Sequence, residues 1–241
     1  MSRADVILWI ILPYAALTVF VVGHVWRWRT DQFGWTTRST QLLESRWLTI
    51  GSNLFHIGIL LAIVGHIAGI AIPMVVTEKM GVSEHFYHVQ AVALGALAGF
   101  LCIAGLAILF IRRMRVPRVA ATTTNTDLVV YAVLTVAIIS GQVATAGYQL
   151  VVDGGYNYRE TIGPYFRSLF YLDPETASIS GAPFIYQLHV LSTFALYALW
   201  PFSRLVHVWS VPWRYLTRRP IVFRARRAAM VSEPGMKRRP R

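Results

Sequence analysis

Acidic residues and cysteine are scarce in this sequence. Eleven Asp and Glu stand against 23 Lys and Arg, and charged residues make up 14% of the chain against 55% hydrophobic. A chain so short of charge is too apolar for an ordinary soluble domain, so the composition predicts a protein solvated by a bilayer. One cysteine, Cys102, excludes an internal disulfide and a thiolate metal cluster. Set inside an apolar run, it reads as a small core residue, and any iron-sulfur chemistry must then come from a partner subunit. Internal repeats and heptad runs are lacking too, and the one strongly biased stretch is the basic tail from Arg218 onward.

What is present is a set of long apolar runs. A helix needs about 20 mainly apolar residues to cross a hydrocarbon core of about 30 Å. Five stretches qualify, at approximately 5–25, 50–76, 86–111, 127–150 and 184–210. The first is followed by His24-Val25-Trp26-Arg27-Trp28-Arg29 rather than a small-residue cleavage site, so it is expected to be a retained helix.

The net charge of +12 is distributed by topology, not as a nucleic-acid footprint. Arg27, Arg29, Arg38 and Arg46 lie between runs one and two, and Arg112, Arg113, Arg115 and Arg118 lie between runs three and four. The alternate loops hold only Lys79, and then Arg159 and Arg167. By the positive-inside rule the N-terminus lies outside and the C-terminus in the cytoplasm. The expected fold is all-α, an integral membrane bundle of five transmembrane helices forming a single domain over 1–241. Residues 211–241 are expected to be a basic cytoplasmic tail with affinity for anionic membrane lipids.

Four of seven histidines, His56, His66, His189 and His207, fall inside runs two and five. Ionisable groups are costly at membrane depth and commonly functional there. Imidazole at both axial positions of a haem iron gives an electron-transfer centre without an open oxygen site. His56 and His66 are separated by about 15 Å of helical rise, and His189 and His207 by about 27 Å with the same facing. Runs two and five are antiparallel, which pairs His66 with His189 near the outer face and His56 with His207 near the inner one. The unequal rises require tilted haems, or His207 at the extreme end of its helix. Gly58, Gly65 and Gly69 leave room for a macrocycle or for close helix packing. His24 has no assigned role; His85 and His88 begin the third run, either as a solvated helix start or as part of a quinone site.

The segments SNLFHIGIL at 52–60, VGH ending at His66, PRVAATTT at 117–124, QLH ending at His189 and PFSRLVHVWSVP at 201–212, with RYLTR soon after, resemble the gamma subunits of respiratory nitrate reductase. The resemblance runs along nearly the whole chain and is weakest over 77–90 and 151–180. It implies a cytochrome b subunit of the bacterial cytoplasmic membrane that oxidises menaquinol or ubiquinol from the quinone pool near the outer face. Electrons would pass through two b-type haems to an iron-sulfur beta subunit, and a molybdenum-containing alpha subunit would reduce nitrate, so no catalytic residue for nitrate is expected on this chain. His66 and His189 look like distal-haem ligands, and His56 and His207 like proximal-haem ligands. Gly65 and His66 match positions that border the quinol. The family often presents a lysine at the start of helix three, where this sequence has Glu84-His85-Phe86-Tyr87-His88 and only Lys79 nearby. His88, His85 and Lys79 are therefore the candidates to meet the quinol oxygen, His88 first. Two other readings share parts of the pattern: a di-haem subunit of formate dehydrogenase or hydrogenase, and a haem-free anchor or transporter whose histidines conduct protons.

Overall fold

The computed structural model describes residues 2–152, 155–210 and Thr217, and every regular element among them is helical. The expected tail, 211–241, lies outside the described residues apart from Thr217. Four helices are long and apolar enough to cross a membrane: α1 (Arg3–Thr30), α2 (Arg46–Ala71), α3 (Glu84–Arg115) and α4 (Asn125–Val151). Their starts carry recognisable caps. The Ser2 side chain accepts from the Asp5 amide before α1, that of Ser83 from the Phe86 amide before α3, and Thr124 forms a capping box with Asp127 before α4.

The fifth apolar run is built differently from the single helix expected over 184–210. Helix α5 (Phe184–Leu199) has 16 residues and gives way to two 3-10 turns, Trp200–Phe202 and Arg204–Ser210. The physical cause is Pro201, which has no N–H to donate and whose ring meets the carbonyl four residues back. Ser203 then takes an extended conformation, with φ −118° and ψ −178°. His189 and His207 therefore do not share one helix, and the 27 Å rise calculated for a continuous helix does not apply.

The helices pack in sequence around an arc. α2 lies along α3, α3 along α4, and α4 along α5, which also rests on α1; α2 and α5 are not among the extensively packed pairs. Small residues set the closest approach, as is common where helices associate in lipid. A Cβ at Gly58 would stand 2.7 Å from both the Ala98 carbonyl oxygen and the Cys102 amide nitrogen. Across the same seam Gly105 lies against the backbone of Phe55 and Gly51. Cys102 is buried in this contact, as its apolar setting predicts.

Opposite ends of the helix bundle close by different means. At one end the short helices Ile162–Phe170 and Thr176–Ser180 pack on the start of α1 around Trp9, Tyr165, Leu169 and Ile179. The Tyr165 hydroxyl donates to the Trp9 carbonyl at 3.0 Å. At the other end arginines tie loops to helix ends. Arg112 is buried and binds the Glu44 carboxylate together with the Thr40 and Glu44 carbonyls. Arg204 makes a two-pronged contact to Asp127, at 2.6 and 2.7 Å.

Overpacking a tight seam costs about 1–3 kcal/mol. Gly58→Leu is accordingly expected to lower the thermal midpoint of the full chain in detergent, followed by circular dichroism. Gly65→Ala should leave that midpoint unchanged, because nothing lies within 4 Å of its added methyl.

Candidate functional site

His56 and His66 on α2 each pair with a second imidazole, that of His189 on α5 or of His207 in the 3-10 turn beyond it. His66 and His189 have ring centroids 5.9 Å apart with planes inclined by 30°. His56 and His207 are 6.0 Å apart and inclined by 68°. α2 and α5 are not among the extensively packed pairs, and among the described residues these two histidine pairs are the ring contacts between α2 and the 184–210 segment.

Each of these imidazoles has one nitrogen committed. His56 Nδ1–H donates to the Ser52 carbonyl at 2.7 Å, and His66 Nδ1–H to the Ala62 carbonyl at 2.6 Å. His207 donates to the Arg204 carbonyl at 2.6 Å. These three bonds run to a carbonyl three or four residues earlier in the same segment. His189 differs, because its Nδ1–H reaches the Ala137 carbonyl on α4 at 2.8 Å. A carbonyl can only accept, so each bond fixes the tautomer with the proton on Nδ1 and leaves Nε2 as a lone-pair donor. No hydrogen bond to Nε2 of these four is found among the described residues. His24 supplies the contrast: its Nδ1–H binds the Phe20 carbonyl, but its Nε2 accepts the indole N–H of Trp209 at 3.0 Å. Both of its nitrogens are occupied, and it acts as an interfacial bridge.

The spacing can be tested against a shared metal. Imidazole nitrogens bind metals at about 2.0–2.1 Å, so two rings on opposite sides of one ion have centroids roughly 6 Å apart. Both pairs meet that distance. Among the described residues no group of three or more metal-ligating side chains occurs. Paired imidazoles suit a metal that brings its own equatorial ligands, as haem iron does. The arrangement fits two such groups, one between His56 and His207 and one between His66 and His189.

Two contacts hold the backbone break that leads to His207. Arg27, near the end of α1 and 7% exposed, donates to the carbonyls of Pro201 at 2.6 Å and Ser203 at 3.0 Å. These flank the break that carries the chain to His207. Gly23 gives the same break its space, since a Cβ there would stand 2.6 Å from Pro201 Cγ. In the sequence Arg27 registers only as a loop charge; the contact spans 174 residues and leaves no local trace.

The predicted quinol residues are not drawn into one cluster. Gly65 and His66 sit together on α2, and the space beside Gly65 is open. His85 and His88 are exposed at the start of α3, and Lys79 is exposed at the end of the short helix Met74–Lys79. The groups beside Gly69, near the C-terminal end of α2, are instead tyrosines. A Cβ at Gly69 would lie 3.0 Å from the Tyr158 hydroxyl and 3.1 Å from the Tyr87 hydroxyl. The Arg159 guanidinium lies 3.7 Å over the Tyr87 ring and binds Glu84 at 2.9 Å. Burial pushes the Tyr158 phenol well above its usual pKa, which keeps it protonated. Sequence reasoning missed this cluster because Tyr158 and Arg159 lie in the 151–180 region, where no motif marks them.

Residues 5–226 match the family model of the nitrate reductase gamma subunit. The chain is 41% identical over 220 residues to a nitrate reductase gamma chain of Bacillus subtilis, covering 91% of this chain and 98% of that one. It is 35% identical over 216 residues to the respiratory nitrate reductase 1 gamma chain of Escherichia coli, covering 90% and 95%. A nitrate reductase-like protein of Mycobacterium tuberculosis is 50% identical over 227 residues, 94% of this chain but 35% of that protein, so the chain spans about a third of that relative's length. With a family model covering most of its length and relatives matched almost end to end, the chain belongs to the nitrate reductase gamma subunit family.

Proposed function

We propose that this chain is the membrane cytochrome b subunit of a respiratory quinol:nitrate oxidoreductase of the bacterial cytoplasmic membrane. The observation that carries the reading is the pair of imidazole couples, each near 6 Å, with no hydrogen bond to Nε2 among the described residues. Membership of the gamma family supports it. In this reading the chain crosses the membrane five times with its N-terminus outside, and the arginine-rich end faces the cytoplasm. An iron-sulfur beta subunit and a molybdenum-containing alpha subunit dock there and carry the nitrate-reducing site.

His66 and His189 would hold the outer b-type haem, and His56 and His207 the inner one. Held by two imidazoles each, the haems would supply one-electron transfer without oxygen chemistry. The protein supplies the ligand orientation through the Nδ1–H bonds, which also make Nε2 a stronger donor. Because α2 is unbroken between His56 and His66, it spaces the two sites by about 15 Å along its axis. Quinol beside Gly65 and His66 releases its protons outward while its electrons cross inward. Moving each charge across the membrane is worth about 2.3 kcal/mol per 100 mV.

A spectroscopic redox titration of membranes holding the full complex tests this assignment. His66→Ala and His56→Ala should each remove one b-type component, and a different one in each case. Loss of the same component from both refutes the two-site pairing, and failure of nitrate to reoxidise the reduced wild-type haems sinks the nitrate reductase role. A third variant probes the clamp at the helix break. Hydrogen bonds from charged donors contribute about 1.5–3 kcal/mol each, so Arg27→Ala should weaken retention of the His56–His207 haem and spare the other. Haem content resolved by component in purified protein gives the answer.

A further inference from the structure

Helix α4 carries a seat for His189 that none of the other paired histidines has. The Ala137 carbonyl accepts the His189 Nδ1–H at 2.8 Å, and the Ser140 hydroxyl lies 3.5 Å from the same nitrogen. Ser140 is buried and anchored to the Val136 carbonyl at 2.6 Å. One residue further on, a Cβ at Gly141 would stand 2.7 Å from His189 Cε1 and 3.0 Å from Nδ1. Real Cβ atoms do not approach that closely, so the imidazole edge occupies the space that glycine leaves. The ring rests edge-on against the α4 backbone, with its N–H in reach of a carbonyl one turn away.

The consequence is an asymmetry among the ligands. His56, His66 and His207 bond to carbonyls of their own segments, so local backbone geometry fixes their Nδ1–H bonds. The His189 bond spans two helices and lengthens or shortens with the packing of α5 on α4. A shorter bond draws the proton toward the carbonyl and makes Nε2 more basic, which favours the oxidised metal.

We propose that Gly141, with the Ala137 carbonyl, is a positioning element that sets the reduction potential of the outer haem alone. This rests on the reading of His66 and His189 as its ligands. A methyl at position 141 pushes the Nδ1–Cε1 edge away from α4 and lengthens the bond to Ala137. Nε2 becomes less basic, and the reduced state gains.

The test is a redox titration, with low-temperature EPR of the oxidised haems, on membranes containing the full complex. Gly141→Ala is compared with wild type and with Gly147→Ala, whose added Cβ meets only Val143 at 3.4 and 3.9 Å. In Gly141→Ala the outer haem's reduction equilibrium should shift at least threefold toward the reduced state, about 28 mV at 59 mV per tenfold for one electron. Its EPR signal should shift as well, while the inner haem stays unchanged. Gly147→Ala should alter neither. Loss of the outer haem alone from Gly141→Ala also supports the seat, since only the ligand held by α4 has failed. An unchanged or lowered potential, equal shifts of both haems, loss of both, or the same response in Gly147→Ala overturns it. Wild-type membranes lacking two b-type components would instead overturn the haem reading itself.

Discussion

In a hydrocarbon solvent a polar group must find its partner within the protein, because no water is there to take its place. That constraint organises the interior of this chain. Each paired histidine has its N–H bonded to a backbone carbonyl, and the bond does more than satisfy a donor. It selects a tautomer, restrains the ring and leaves the lone pair on Nε2. Had the proton resided on Nε2, the same rings at the same spacing would present a donor where a metal needs an acceptor-free lone pair. The carbonyl bonds therefore leave each of the four paired histidines with Nε2 as its lone-pair nitrogen.

The same constraint explains the arginines at one end of the bundle. A helix that ends at Leu199 inside an apolar run leaves carbonyls without intrahelical partners. Just beyond it Arg27 supplies donors to the carbonyls of Pro201 and Ser203, and to Gly34 of the adjoining loop. Arg204 and Arg113 converge on Asp127 at the first turn of α4, where a carboxylate also suits the helix dipole. Residues that read as a topology signal in the sequence are, in the structure, cross-links between loops and helix ends. The two roles are compatible, since a guanidinium that fixes a loop also resists transfer across the membrane.

Much of this was legible in the sequence because its signals are local. Apolar length marks α1 to α4 within a few residues, and the antiparallel order of runs two and five indicates which histidines become neighbours. The fifth run misleads because its apolar character continues through 184–210 while the backbone does not. Pro201 is visible as a helix breaker, but its effect on His207 depends on Arg27, 174 residues away. The glycines divide in the same way. Gly58 serves ordinary close packing against α3, Gly69 lies beneath two tyrosines, and Gly65 faces open space. One-dimensional spacing puts all three on α2 and cannot separate them, because what distinguishes them belongs to other helices.

The structure also divides labour between the partners of each pair. His56 and His66 share an unbroken α-helical segment, so their separation is fixed by helix geometry and cannot be tuned without deforming α2. Their counterparts are held by contacts that can vary independently. His207 follows a break clamped by Arg27, and His189 leans on α4 at Ala137 and Gly141. One helix thus sets the distance between the two histidine pairs, and two separate contacts position the second ring of each. Sequence change at α4 or at the 200–204 break can then move one pair while leaving the other, and the spacing along α2, as they are.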